Sequence, residues 1–119
     1  MPMAATLPDD KRRYYRLQYP IPERPTVWFQ GCRYAVSEIS EEGVRIVLTG
    51  GCAVRLRQTF AGVIRFKDGG TNPIVGIVIR FDGCEIVVEL SKGISLKRMI
   101  AEQSRLRKRY PMFFDRTEK

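Results

Sequence analysis

From residue 26 onward, short runs rich in Val, Ile, Phe and Tyr follow one another at 26–31, 33–39, 43–48, 54–66 with an internal break, 74–81 and 84–90. Several alternate with period two: Val44, Ile46 and Leu48 are interleaved with Arg45 and Val47, and Ile86, Val88 and Leu90 with Glu85, Val87 and Glu89. Such alternation predicts strands with one face buried. Asp82-Gly83 lies directly between two runs and predicts a two-residue hairpin, and residues 67–73 have the composition of a longer hairpin loop. Six short strands so closely spaced predict an antiparallel barrel or compact sandwich.

One helix is predicted near the end. Ser95 is placed to cap it, and Leu96, Met99, Ile100, Gln103, Leu106 and Tyr110 recur at spacings of three or four. Lys97, Arg98, Arg105, Lys108 and Arg109 occupy the other faces, and Pro111 stops it. The stripe predicts a helix packed on one mouth of the barrel. At the other end, residues 1–25 carry five prolines, Pro2, Pro8, Pro20, Pro22 and Pro25, which disfavour helix and central strand alike. That segment reads as an extended arm with few core contacts. The expected organisation is an arm over 1–25, a barrel with its helix over 26–110, and a tail over 111–119.

Length fits one domain: the chain has 119 residues. No apolar run approaches the roughly 18 residues that span a bilayer, and the first residues are too polar for a signal peptide, so the expectation is a cytoplasmic protein with no membrane insertion. Cys32, Cys52 and Cys84 are odd in number and widely spaced, which argues against a disulfide framework and against a zinc site. There is no histidine. Its absence removes the commonest general base and the usual partner of a nucleophilic Ser or Cys, so no catalytic residue is assigned and the chain is read as a non-enzyme.

Charge changes the picture. The net charge is +8, from 21 basic and 13 acidic residues. Residues 26–96 are nearly neutral, with eight basic and seven acidic side chains, whereas 1–25 hold five and three and 97–119 hold eight and three. Positive ends favour an anionic partner.

Two stretches carry the candidate chemistry. In 12–16, Arg-Arg-Tyr-Tyr-Arg, Arg12 and Arg16 are separated by three residues; in 38–43 the sequence is Glu-Ile-Ser-Glu-Glu-Gly, at the junction of two predicted strands. Alone, the first is a solvated basic arm and the second a polar hairpin loop. In this order they resemble the signatures of the PilZ family, RxxxR in an N-terminal arm and [D/N]xSxxG at a later strand turn. Arg12 and Arg16 match the first, Ser40 and Gly43 the second, and Glu38 stands where the family has Asp or Asn.

The resemblance covers residues 11 to about 110. It implies a mainly β fold, a six-stranded antiparallel PilZ-type barrel with an N-terminal arm and one C-terminal helix, in a bacterial receptor for cyclic di-GMP. It implies ligand binding by Arg12, Arg16, Glu38, Ser40 and Gly43, with Lys11 and Arg13 bearing on whether one or two ligand molecules bind. Residue chemistry agrees. An arginine fork pairs with guanine O6 and N7 or grips phosphate oxygens, Ser40 supplies a short donor and acceptor, and Gly43 permits close backbone approach.

Glu38 keeps the carboxylate acceptor of an Asp but adds a methylene and a rotor. The implied mechanism is ordering of the arm over the barrel by ligand, read by an effector protein. Two alternatives belong to other classes: a ligand-independent PilZ-like adapter acting through protein contacts, and a small basic barrel binding RNA or single-stranded DNA. The strands show no platform of exposed aromatics interleaved with cations, which disfavours a nucleic acid polymer.

Overall fold

The computed structural model describes residues 16–49 and 53–111. Its strands are β1 (Leu17–Gln18), β2 (Thr26–Phe29), β3 (Cys32–Ile39), β4 (Gly43–Val47), β5 (Thr59–Arg65), β6 (Thr71–Asp82) and β7 (Glu85–Lys92), followed by helix α1 (Leu96–Arg109). All pairings are antiparallel, in the order β1-β3-β2-β5-β6-β7-β4, and an additional pairing of β3 with β4 closes the ring. Six strands, β2 to β7, therefore form a closed barrel, and β1 is a seventh strand added to it. This is the expected mainly β architecture with its C-terminal helix.

The expected arm differs from the observed chain from Leu17 onward. Leu17 pairs with Ile39 and Gln18 with Glu38. The same edge of β3 then takes Thr26 opposite Ala35, bridged by Tyr19 N–H to Ser37 O at 3.0 Å and Val36 N–H to Pro25 O at 2.9 Å. β1 and β2 are thus one interrupted strand. Prolines 20, 22 and 25 lack the N–H groups a continuous ladder needs, so the chain loops out between them as a short 3-10 turn, Ile21–Glu23. Leu17, Tyr19 and Glu23 are all buried. The prolines produce an excursion from the ladder, and the expectation of few core contacts fails from Leu17 onward because an apolar residue precedes and follows the polar Gln18 at strand spacing.

Alternation places Val27 and Phe29, Val44 and Ile46, Phe60 and Ile64, and Ile86 and Val88 inside the barrel. Phe29 and Phe60 stack there with ring centroids 4.0 Å apart. Two hairpins shift by a residue or more from the sequence expectation. Phe29 pairs with Cys32 around Gln30 and Gly31, both at positive φ (51° and 79°), as a tight primed turn requires, so β2 stops at Phe29 and does not run to residue 31. Asp82 pairs with Glu85, which puts the next turn at Gly83–Cys84. The 54–66 run contributes a strand from Thr59 only; Arg57, at φ 71°, turns the chain into β5.

Helix α1 begins where expected, with Ser95 Oγ accepting from Arg98 N–H at 3.1 Å. Its buried face is Met99, Glu102 and Leu106. Leu96 and Ile100, members of the expected stripe, are 62% and 57% exposed.

Candidate functional site

Along β3 the inward positions are Tyr34 and Val36 and then Ile39, because the register slips between Val36 and Glu38. Without that bulge Glu38 would continue the inward phase. A bulge re-aims the following side chain, and here it turns a carboxylate from the core to the outer face while Ser37 is spent as the extra residue. Glu38 Oε1 accepts from Gln18 Nε2 at 3.3 Å, and Oε2 lies 3.9 Å from Arg16 Nε. The Arg16 side chain is 57% exposed and that of Glu38 is 15% exposed.

The turn that follows is built by its own polar groups. Ser40 donates twice to Gly43 O, from its N–H at 2.8 Å and from Oγ at 3.3 Å. Leu90 N–H donates to Glu42 O at 2.7 Å, tying the turn to β7. A Cβ on Gly43 would stand 3.3 Å from Val88 O and 3.7 Å from Ser40 Oγ. Gly43 is outside the left-handed region, so its small size matters here through close approach.

Arg16, Glu38, Ser40 and Gly43 line one open depression of about 200 Å³, together with Arg45, Arg80 and Glu89 among others. Four expected site residues are therefore brought together from the end of the arm, β3 and the β3–β4 turn. Arg12, Lys11 and Arg13 lie outside the described residues. Arg45 is engaged: its Nε donates to Glu85 Oε1 at 3.0 Å and its Nη2 pairs with Asp82. The Asp82 hydrogen bond raises the Arg45 pKa and holds the Asp82 carboxyl below its ordinary range. Arg80 makes no ion pair among the described residues and is the second cation open to a ligand.

Gln18 and Arg80 were not singled out from the sequence. Gln18 reaches Glu38, without lining the depression itself, only because β1 pairs with β3. Arg80 enters because a second register shift, between Val78 and Arg80, breaks the alternation of β6. In the sequence Arg80 is a single cation between Ile79 and Phe81 in a predicted strand, which marks an outward-facing position and nothing more. Among the described residues no group of His, Cys, Asp or Glu is arranged to hold a metal ion, and no helix is long and apolar enough to cross a membrane.

No family model and no curated protein matches this sequence. Similar solved structures exist. The Bacillus subtilis inhibitor of motility (MotI/DgrA) superposes with a TM-score of 0.61 at 20% identity, covering 86% of this chain and 53% of that one. Escherichia coli YcgR, solved in complex with c-di-GMP, superposes with a TM-score of 0.60 at 15% identity, covering 85% of this chain and 49% of that one. The chain thus spans about half the length of each. Together with the closed six-stranded ring, the added strand and the C-terminal helix, these likenesses give the chain the PilZ-like fold that its two motifs implied.

Proposed function

We propose that the chain is a cyclic di-GMP receptor that holds its ligand on the outer face around Arg16, Glu38, Ser40 and Gly43. The observation that carries this reading is the meeting of Arg16, the last residue of the first motif, with Glu38, Ser40 and Gly43 of the second in one depression, on a fold shared with a protein solved with c-di-GMP. Arg16 and Arg80 offer planar forks for guanine edges or phosphate oxygens. Glu38 offers a carboxylate that accepts from guanine N1–H and N2–H, and Ser40 and Gly43 line the turn on which a base lies.

The depression, at about 200 Å³, is smaller than sites that enclose a ligand of this size, which run from about 300 Å³. A further wall is needed. The arm ahead of Arg16 supplies it, with Arg12 as the second motif arginine and Lys11 and Arg13 beside it, so that ligand binding orders the arm over the barrel. An effector protein then reads the altered face. Val75, Ile77 and Ile79, each at least 37% exposed, form an apolar row along β6 that reaches the depression at Ile79 and suits such a contact.

Calorimetric titration with cyclic di-GMP tests the reading. Saturable binding is expected, weakened about 10- to 100-fold in Arg16→Ala for the loss of charge-assisted hydrogen bonds, and weakened in Ser40→Ala. A flat titration of folded protein, or equal binding by Arg16→Ala, sinks the proposal. A flat result favours a ligand-independent adapter, for which the pairing of Glu38 with Arg16 and Gln18 inside the chain is the supporting observation.

A further inference from the structure

Arginines with partly buried side chains are paired almost throughout the described barrel. Arg45 meets Glu85 and Asp82, Arg98 meets Asp68 and Glu102, and Arg105 meets Glu23 and Glu102. Arg24 departs from this. Its Nε is buried and has no hydrogen-bond partner among the described residues, a state that costs free energy unless a ligand or water completes it.

Arg24 lines a second depression, of about 270 Å³, with Thr26, Arg65, Phe66, Lys67 and Gly69. It shares no residue with the depression around Glu38. No carboxylate lines it. The nearest in sequence, Asp68, is spent elsewhere: its Oδ1 accepts from Gly70 N–H and its Oδ2 from Arg98 Nη1, each at 2.8 Å. Arg24, Arg65 and Lys67 make no ion pair among the described residues.

The fold fixes this grouping. Thr26 and Arg65 are register partners of β2 and β5, and both fall at the outward positions of their strands. Arg24 is held by its own N–H on Ile21 O at 3.3 Å and by the bond from Val36 N–H to Pro25 O next to it. Buried Phe66 precedes Lys67 and anchors the loop that carries it.

We propose that this depression is a binding site for a phosphate group, separate from the cyclic di-GMP site. The lining offers guanidinium, ammonium and hydroxyl donors and three positive charges, and its side chains offer no anionic acceptor. The fitting ligand is an acceptor-only oxyanion with more than one negative charge and several oxygens at once, which describes phosphate better than a carboxylate. Both inorganic phosphate and a phosphate monoester carry that chemistry.

Proton–nitrogen NMR titrations at constant ionic strength, in chloride buffer, separate the two sources: one with orthophosphate, one with glycerol 3-phosphate. Saturable shifts of the Thr26, Lys67 and Gly69 amides are expected in at least one titration, and the tighter ligand identifies the source. They are retained in Arg16→Ala, which keeps this test distinct from that of the cyclic di-GMP site. The exposed pair Arg65→Ala/Lys67→Ala, whose fold the rest of its spectrum checks, is expected to weaken binding about tenfold or more for the loss of two charged donors. Arg24→Lys, which keeps the charge but removes Nε, is expected to weaken it too. Absence of saturable shifts at these amides with both ligands, or unchanged affinity in the double variant, overturns the proposal.

Discussion

Glu38 shows how one residue depends on its neighbours. As sequence it is a near-match to a motif position; in the structure it is already occupied by Gln18 and Arg16, so a ligand must share or displace these partners. Shortening the side chain removes a rotor and withdraws the carboxylate from Arg16. Glu38→Asp is therefore expected to tighten cyclic di-GMP binding about two- to fivefold by titration; weaker binding would mean that the longer reach is needed. Glycines show the same dependence on context. At Gly76 a Cβ would fall 2.2 Å from the Glu89 carbonyl oxygen, a backbone atom that cannot step aside. Gly76→Ala is expected to cost about 1–3 kcal/mol or more in a denaturant melt, well above Gly43→Ala, whose tightest contact is 3.3 Å. Arg16, Glu38, Ser40 and Gly43 were legible because a motif marks them. Arg80 and Gln18 were not, because a bulge and a two-residue strand place them, and neither leaves a periodic trace.

At the scale of elements, the helix was legible in its start and, at Met99 and Leu106, in part of its buried face. Hydropathy favours Leu96 and Ile100 as core, yet both are exposed while Glu102 is as fully buried as Leu106. Glu102 Oε1 accepts from Tyr19 Oη at 2.6 Å and from Arg105 Nη2 at 3.2 Å. Arg105 Nη1 also donates to Glu23 Oε1 at 2.7 Å, and Tyr110 Oη to Glu23 Oε2 at 3.0 Å. A carboxylate surrounded by such donors can be buried where an unpaired one cannot, and those donors come from distant parts of the sequence. Glu102→Ala is expected to destabilise by about 3–5 kcal/mol, since it strips a buried network of its acceptor. The same network sets the pH limits. The Arg105 hydrogen bond holds the Glu23 carboxyl below its ordinary 4.5. That stabilisation is full above pH 4.5 and is lost as pH falls through the depressed value, so Glu23→Gln should flatten the acid side of a plot of melting temperature against pH. Tyr19 behaves in the opposite sense. Burial, then the Glu102 charge, raises its phenol above the ordinary 10.0, so its contribution is full below pH 10.0 and declines at higher pH. Tyr19→Phe should remove that alkaline decline.

For the whole molecule, the barrel was legible because a closed antiparallel sheet repeats one signal, alternation, strand after strand. Closure itself was not: the pairing of β3 with β4 and the joining of β1 to β2 along one edge depend on registers that no single strand encodes. These registers also define a route through the molecule. Arg16 is exposed in the candidate site, Leu17 immediately after it is fully buried, and Tyr19 two residues further on bonds Glu102 of α1. A ligand that fixes Arg16 therefore restrains a segment whose other end holds the helix, although the helix contributes no residue to the depression. Hydrogen exchange measured with and without cyclic di-GMP is expected to show slower exchange in 96–109 as well as around the β3–β4 turn. Tyr19→Phe keeps every residue that lines the site but cuts the link to Glu102, so it should retain ligand affinity and protection at the turn while losing the added protection in the helix. Equal helix protection in Tyr19→Phe would place the coupling in the shared core instead.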